Sequence, residues 1–416
     1  MTHYDDDDLL AFAHGLTDAP GGVEEHITAC LDCAARLSAL RQITRGLMHH
    51  TPDVAFLQTY EARQAHELDI AREYLRAGTV EQAPRSLGLV RALIAEAQAH
   101  LGNDLAVAGN RSELAIRISE GITEAAYARG AVLLARGDAH REHANALRLL
   151  GQLPEALVHL DRAAGHYEAL YASAYPLAQV GFARALVLFK MSEFAAAADA
   201  LHACSATFLE FGDTAGFAKA RFMQASLYFE QGAITKAAAL FESLREPAER
   251  AADRELLARL YSNLGACSVA LDDERTARAN FQNALALFDE LQMESEKVRI
   301  RWNLARLTLL RDPDASVRPL QEVRLAFQTL GLAMDAALVA LDLVDALLAT
   351  GDAERAEHLS AELLTAFQRM HANLNVTQAI SYLHEATKAR RATPSLTRSL
   401  RAYLETQGSI EFQPPA

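Results

Sequence analysis

Apolar and small residues recur along most of the chain at intervals of three, four and seven positions. This spacing places them on one face of a helix, with polar residues on the opposite face. In the clearest segment, Leu264 and Gly265 lie on one predicted helix, and Ala277 and Phe281 lie on the next. Small residues at Gly265 and Ala277 would let the two helices approach closely, while Phe281 fills the space between them. The pattern predicts paired amphipathic helices and an all-α fold.

The helical pattern is periodic. Four successive units open at intervals of 40 residues, at Ala178, Ala218, Ala258 and Val298. A small residue occupies the same later position of each unit: Ala185, Ala225, Gly265 and Ala305. Apolar residues are in register in the second helices: Leu201, Phe241 and Phe281, and likewise Cys204, Leu244 and Ala284. Further units occur near Gly151 and Gly351, so the chain is predicted to form about seven helix pairs.

The unit that begins at Ala258 resembles a tetratricopeptide repeat. Its residues that match the W-x2-L-G and A-x3-F pattern of this family, with tyrosine for tryptophan, are Tyr261, Leu264, Gly265, Ala277 and Phe281. The resemblance covers residues 138–370 and implies a right-handed α–α superhelix. Units of 40 residues resemble those of bacterial tetratricopeptide regulators, which receive peptides or small ligands in the groove of the superhelix.

Some features depart from the common repeat. A unit of 40 residues is longer than the usual unit of about 34 residues, so the second helix of each pair is expected to be extended. Pro313 and Pro319 are expected to interrupt the second helix of one unit, because proline has no backbone N–H to donate. Residues 52–137 are helical by pattern, but their repeat phase is weaker.

A motif near the N-terminus contains candidate metal ligands. His26 and Cys30 are four residues apart on a predicted helix, and Cys33 follows three residues later, so all three lie near one face. Zinc is commonly held by four such nitrogen and sulfur ligands. His3 is the candidate for the fourth ligand, and the carboxylates of residues 5–8 are weaker candidates. Accidental spacing of buried cysteines is the alternative.

This motif resembles the zinc-binding anti-sigma domain of bacteria. Beyond His26, Cys30 and Cys33, the residues that carry the resemblance are Leu9, Leu10, Ala11, Phe12, Gly15, Leu16, Val23 and Glu24. The resemblance covers residues 3–48 and implies a Zn²⁺ cofactor and an extracytoplasmic-function sigma factor as the protein partner. Redox-switching members of the family have a third cysteine, which this segment lacks. A structural zinc is therefore expected, and a redox-labile zinc is the alternative.

Charge and hydrophobicity limit the partners and the cellular location that the sequence allows. A formal net charge of −14 disfavours direct binding to nucleic acid or to an anionic membrane. No apolar run reaches the length of about 18 residues that a membrane span needs, and the acidic N-terminus does not resemble a signal peptide. A cytoplasmic location is therefore expected.

Four cysteines are too few for a disulfide framework, and Cys204 and Cys267 are expected to be buried. Without a recognisable catalytic motif, no enzyme activity is expected.

Basic and aromatic residues form columns on the first helices of the repeats. The candidate groove residues are Lys219, Arg259, Arg299, Phe182, Phe222, Trp302, Asn263 and Asn303. The first helices of tetratricopeptide solenoids line the concave surface, so these columns are predicted to face one groove. They would bind a peptide or protein segment that carries a carboxylate and apolar anchors. The alternative is that the charges are solvated and the aromatic rings pack between helices.

These patterns predict three regions: a zinc-binding module in residues 1–48, a helical repeat solenoid in residues 52–385 and a C-terminal tail in residues 386–416. The leading interpretation is a cytoplasmic anti-sigma-type transcription regulator that sequesters a sigma factor through the zinc module. Its solenoid would serve as a sensor or docking domain. The alternative is a scaffold or adaptor whose module binds another protein or caps the solenoid.

Overall fold

The computed structural model describes Val23 and residues 54–102, 104–123, 126–170, 172–370 and 374–405. Within these ranges the chain is helical with short connections and contains no β-strand, which confirms the all-α prediction. No helix among the described residues is long and apolar enough to cross a lipid bilayer. The chain divides into two compact units, Met1–Tyr171 and Ala172–Ala416.

The described part of the first unit consists of consecutive helices that pack against one another. They are α1 (Val54–Arg76), α2 (Leu87–His100), α3 (Leu105–Glu120), α4 (Arg129–Leu149) and α5 (Leu153–Glu168), with a 3-10 turn at Val80–Gln82. The approach of α4 to α5 is close: a Cβ atom at Gly137 would lie 2.3 Å from the ring of Tyr167. Because Gly137 has no side chain, Tyr167 can be fully buried between the two helices.

The second unit is an array of helices in which each packs against its neighbours in sequence. They are α6 (Ala174–Lys190), α7 (Phe194–Glu210), α8 (Thr214–Glu230), α9 (Ile234–Ser243), α10 (Arg245–Arg250), α11 (Arg254–Ala270), α12 (Glu274–Glu290), α13 (Glu294–Arg311), α14 (Pro313–Thr329), α15 (Ala333–Ala349), α16 (Ala353–Arg369), α17 (Leu374–Lys388) and α18 (Pro394–Glu405).

The helices of the second unit start at regular intervals. α6, α7 and α8 begin at residues 174, 194 and 214, and α11, α12 and α13 begin at residues 254, 274 and 294. α6, α7, α8, α11 and α12 each contain 17 residues. The 40-residue unit therefore consists of two helices of equal length joined by short turns. The additional length of the unit is therefore shared by both helices and is not confined to the second helix.

A residue in the left-handed conformation lies in most of these turns. Positive φ angles between 52° and 73° occur at Ser192, Gly212, Gly232, Ala252, Asp272 and Gln292. After α7, the N–H of Gly212 donates to the carbonyl of Leu209 at 3.1 Å, and the N–H of Asp213 donates to the carbonyl of Phe208 at 2.8 Å. These hydrogen bonds satisfy carbonyls that the helix end would otherwise leave unpaired.

The prolines of α14 do not interrupt it, so that expectation is also wrong. Pro313 is the first residue of the helix, where a backbone N–H has no partner within the helix in any case. The Asp312 side chain caps this end by accepting a hydrogen bond from a backbone N–H of the first turn at 3.0 Å. Pro319 lies inside the helix, which continues past it with Leu320 and Phe327 fully buried. Burial of these apolar side chains outweighs the backbone hydrogen bond that Pro319 removes.

A different proline does divide a second helix. α9 ends at Ser243 and α10 begins at Arg245, with Leu244 between them. Pro247 has no N–H to donate to the carbonyl of Ser243. The N–H of Leu244 donates to the carbonyl of Phe241, three residues back, at 3.1 Å, which tightens the last turn of α9.

The predicted column of small residues lies in the interior of the second unit. Its members are all buried: Ala185, Ala225, Gly265 and Ala305. A Cβ atom at Gly265 would lie 2.5 Å from the ring of Phe281, so only glycine allows α11 and α12 to pack this closely. The predicted close approach at Gly265 is confirmed.

The C-terminal region contains more structure than the predicted tail. Residues 386–416 include the end of α17 and all of α18. α18 packs against α15, and Leu396, Leu400 and Tyr403 belong to the same hydrophobic core as the buried face of α15.

Candidate functional site

The predicted zinc ligands lie outside the residues that the structure describes. This applies to His3, His26, Cys30 and Cys33, so the zinc site stays a prediction. Among the residues that are described, no group of three or more histidine, cysteine, aspartate or glutamate side chains could hold a metal ion.

Four of the predicted groove residues line one cleft of the second unit. The cleft has a volume of about 420 Å³, and its walls include Lys219, Arg259, Phe182 and Phe222. These residues belong to α6, α8 and α11, the first helices of three successive pairs. We call this site the Lys219 cleft. The 40-residue period thus brings together side chains that are far apart in the sequence.

The Lys219 cleft contains both cations and carboxylates. Asp253 and Glu255 line it together with the two basic residues. The guanidinium of Arg259 donates to one oxygen of Glu255 at 2.8 and 3.0 Å. Both side chains of this pair are about half exposed, at 44% and 55%, so water screens their attraction and the pair contributes little stability. A ligand carboxylate could therefore take the place of Glu255 on Arg259 at a small cost.

The two aromatic rings of the cleft are only partly buried. Phe222 packs edge to face against Phe241 with ring centroids 5.2 Å apart, and Phe182 packs likewise against Phe208 at 6.4 Å. Each ring therefore contacts the core of its repeat and also lines the cleft. The packing role and the binding role that the sequence left as alternatives are compatible at these two positions.

Arg299 and Trp302 do not line the Lys219 cleft. The Arg299 guanidinium lies 3.5 Å from a carboxylate oxygen of Asp335. Trp302 is only 8% exposed, and its indole N–H donates to Asp342 at 2.6 Å. The indole also packs edge to face against Phe327 at 5.8 Å. Trp302 is thus a core residue of its repeat and not a surface anchor.

The two predicted asparagines are in different surroundings. Asn263 donates its side-chain N–H to the carbonyl of Arg259 at 2.8 Å, within its own helix. Asn303 lines a second cleft of about 290 Å³, whose walls come mainly from α11, α13, α15 and α18, with one phenylalanine each from α8 and α12. We call this site the C-terminal cleft. It was not predicted from the sequence, because one wall belongs to α18 in the region expected to be a tail.

The first unit holds a cluster of histidines that was also missed. His140 and His143 of α4 face His159 and His166 of α5. The Nδ1 atoms of His140 and His159 are 3.0 Å apart, and the rings of His140 and His166 are stacked at 5.7 Å. The two histidines of α4 are three residues apart and those of α5 are seven apart, so each pair lies on one helix face. This spacing is the sequence signal from which the cluster could have been predicted.

Burial keeps these histidines neutral. It lowers the pKa of His140 to about 3, with a further contribution from the charge that His159 would carry. Burial likewise lowers the pKa of His159 to about 4, with a further contribution from His143. The contact between the two Nδ1 atoms is then a hydrogen bond between neutral imidazoles, one donating and one accepting.

Cys204 and Cys267 are free and buried, as the sequence predicts. Burial raises the pKa of both thiols to about 11. Because the thiolate is the reactive form of cysteine, both side chains act as small apolar groups.

Neither a protein family nor a curated protein matches the chain by sequence. Several solved structures match its fold. A Rap protein complexed with Competence and Sporulation Factor has a TM-score of 0.52 at 15% identity, and the match covers 83% of this chain and 99% of that one. Aspartyl phosphate phosphatase F from Bacillus subtilis has a TM-score of 0.53 at 11% identity, covering 88% and 96%.

A third match extends over almost the whole chain. The signal transduction ATPase with a tetratricopeptide repeat sensor from Pyrococcus horikoshii has a TM-score of 0.53 at 12% identity, covering 98% of this chain and 63% of that one. At such low identities the similarity concerns the fold alone. The chain has the all-α fold of tetratricopeptide-like helical repeats.

Proposed function

We propose that this protein is a cytoplasmic anti-sigma-type regulator whose second unit binds a segment of a peptide or protein in the Lys219 cleft. The observation that carries the binding role is the convergence of Lys219, Arg259, Phe182 and Phe222 from three helices on one cleft. Nothing in the packing of the repeats requires two cations at this place, because both are exposed.

The chemistry of the cleft suits an extended segment with an acidic group and an apolar side chain. The carboxylate would receive charge-assisted hydrogen bonds from Lys219 and Arg259. An apolar side chain would cover the accessible parts of the Phe182 and Phe222 rings, which supply most of the apolar area. The similar Rap protein is complexed with Competence and Sporulation Factor, which supports a binding role for this type of helical repeat.

The regulatory role rests on the N-terminal module. Its resemblance to zinc-binding anti-sigma domains implies that His26, Cys30 and Cys33, with His3, hold Zn²⁺ in a closed tetrahedral site. In this proposal the module binds a sigma factor and keeps it from RNA polymerase, and the second unit receives the signal. The protein itself acts without catalysis and without direct contact to nucleic acid or membrane.

Co-purification of the full-length protein from a bacterial lysate tests both parts. We expect a sigma factor and about one equivalent of zinc in the purified complex, and Cys30→Ser should lose both. If zinc is present but the module retains a different protein, the anti-sigma role is wrong and the adaptor alternative is favoured.

The role of the Lys219 cleft is tested by measuring how variants bind the peptide or protein that co-purifies with the second unit. Lys219→Glu together with Arg259→Glu should abolish that interaction while leaving the sigma factor bound. Glu255→Gln should strengthen it, because this change removes the carboxylate that competes for Arg259. Lys236→Glu is the matched control, since Lys236 is exposed on α9 and does not line the cleft. An equal loss with the control variant would contradict a specific role of the cleft.

A further inference from the structure

The C-terminal cleft gathers an unusual number of charged side chains on one wall. Arg306 comes from α13, Asp342 and Asp345 from α15, and Arg398 and Arg401 from α18. Three guanidinium groups therefore face two carboxylates. Even with every carboxylate ionised, the wall carries an excess of positive charge, which favours an anionic ligand.

Ion pairs and one hydrogen bond position the side chains of the charged wall. Asp342 accepts a hydrogen bond from the indole of Trp302 at 2.6 Å and pairs closely with Arg401, and Arg306 lies 3.8 Å away from it. Arg398 lies 3.5 Å from Asp345. The carboxylate of Asp342 is only 7% exposed, whereas the Arg306 and Arg398 side chains are 44% and 66% exposed. The buried groups orient the wall, and the accessible guanidiniums remain within reach of solvent.

The cleft also has an apolar part. It is lined by Ala266, Val269 and Ala270 of α11 and by Leu307 and Leu310 of α13. Val269 is 36% exposed and Leu310 is 71% exposed, so this part presents hydrocarbon surface to any ligand that enters. A volume of about 290 Å³ lies just below the range of about 300–1,000 Å³ for small-molecule sites, so the ligand is expected to be compact.

We propose that the C-terminal cleft binds a ligand that carries a carboxylate beside a compact apolar group, and that α18 supplies part of its anion-binding wall. The carboxylate lies against Arg306 and Arg398, with the amide of Asn303 as a further donor, and the apolar group covers Val269 and Leu310. The site is separate from the Lys219 cleft, and it does not depend on what that cleft binds.

This chemistry occurs at the C-terminus of a peptide that ends in an aliphatic residue, and also in a free medium-chain carboxylic acid. The two sources are distinguished by titrating the full-length protein with N-acetyl-Ala-Ala-Leu and with octanoate, each beside its neutral amide. Trp302 is the only tryptophan, and the Arg401 guanidinium lies 4.8 Å from the centre of its ring. Binding beside Arg401 should therefore change the tryptophan fluorescence, and calorimetry gives an independent readout.

We expect saturable binding of at least one carboxylate, with its amide weaker by about tenfold or more, because the amide forfeits the charge-assisted hydrogen bonds. Binding of the tripeptide alone identifies a peptide terminus, and binding of octanoate alone identifies a free acid. Arg306→Gln should weaken binding by about tenfold. Asp345→Asn should tighten it, because the variant removes a carboxylate that competes for Arg398.

Arg311→Gln is the matched control, because Arg311 is an exposed arginine on the same helix that pairs with Glu274 outside the cleft. Circular dichroism verifies that each variant is folded. The proposal is overturned if neither carboxylate binds at millimolar concentration, or if the amides bind as well as the acids. It is also overturned if Arg311→Gln weakens binding as much as Arg306→Gln, or if Asp345→Asn does not tighten it.

Discussion

The α4–α5 and α11–α12 interfaces share one close contact between helices but differ in the side chains around it. In each, a glycine on the first helix faces an aromatic ring on the second: Gly137 faces Tyr167, and Gly265 faces Phe281. Around Phe281 the interface is apolar. Around Tyr167 it contains the four histidines, and the Tyr167 hydroxyl donates to Asp138 at 2.6 Å.

Two helices can therefore pack with the same close approach whether the side chains between them are apolar or polar. Neutral imidazoles and a tyrosine can occupy the interior when each has a hydrogen-bond partner, as His140 has in His159 and Tyr167 has in Asp138. The consequence is a dependence on protonation that an apolar interface lacks.

The largest effect should follow from emptying the apolar interface. Phe281→Ala should lower the free energy of unfolding of its repeat by about 3–5 kcal/mol, because the ring is 2% exposed and its loss leaves a cavity. Hydrogen exchange of the α11 and α12 amides measures this. Leu325→Ala, at a side chain that is 64% exposed, should change stability by less than about 0.5 kcal/mol. Similar losses in both variants would mean that the pair is not packed as described.

An intermediate effect should come from acidification, and it should affect the first unit selectively. His140 and His159 have pKa values of about 3 and 4 in the fold, below the ordinary value of 6.5. The unfolded chain therefore binds more protons, so stability is complete above about pH 6.5 and falls as the pH decreases. At pH 5 the loss should reach at most about 2 kcal/mol for each histidine.

Hydrogen exchange at pH 7.5 and pH 5, corrected for intrinsic rates, should show lost protection in α4 and α5 and not in α11 and α12. His140→Leu should reduce this pH dependence, because it removes a group whose pKa is lowered to about 3 in the fold. His358→Gln is the control, since the His358 side chain is 81% exposed. Equal acid sensitivity of α4 and α11 would contradict the contrast between the interfaces.

The smallest effect concerns a turn that precedes the apolar pair. Ala252 has a φ angle of +52°, which strains any residue with a Cβ atom, so Ala252→Gly should stabilise the protein by up to about 1 kcal/mol. Ala251 has a φ angle of −79°, so Ala251→Gly should instead destabilise it by about 0.5–1 kcal/mol. Thermal unfolding of the two variants should shift in opposite directions. Shifts of the same sign would contradict this description of the turn.

The fold was largely predictable from the sequence because its signals are local. The 40-residue interval of Ala178, Ala218 and Ala258, and the fit of Gly265 against Phe281, follow from side-chain size and helical periodicity. The turns were harder to recognise: Ser192, Ala252, Asp272 and Gln292 adopt the left-handed conformation without being glycine. The effect of proline also depended on packing, which sequence periodicity does not resolve.

The site could be predicted only in part. Lys219 and Arg259 share a cleft because a simple translation by one repeat relates them. That translation fails at Trp302, where the partner Asp342 and the covering Arg401 belong to later elements. The contact between α18 and α15 joins residues that are distant in sequence, and a periodic sequence pattern does not predict such a contact.

Because the turns are regular, one helix pair can in principle be deleted and the neighbouring pairs joined. Asp213 and Asp253 cap α8 and α11 in the same way, by accepting a backbone N–H at 2.8 and 2.9 Å. A deletion of residues 214–253 would join Asp213 to Arg254, leave an aspartate cap before the next helix, and bring α7 against α11 where α8 was. Since such arrays are stabilised mainly between neighbours, we expect the shortened protein to fold. The deletion would remove Lys219 and Phe222, and with them the Lys219 cleft.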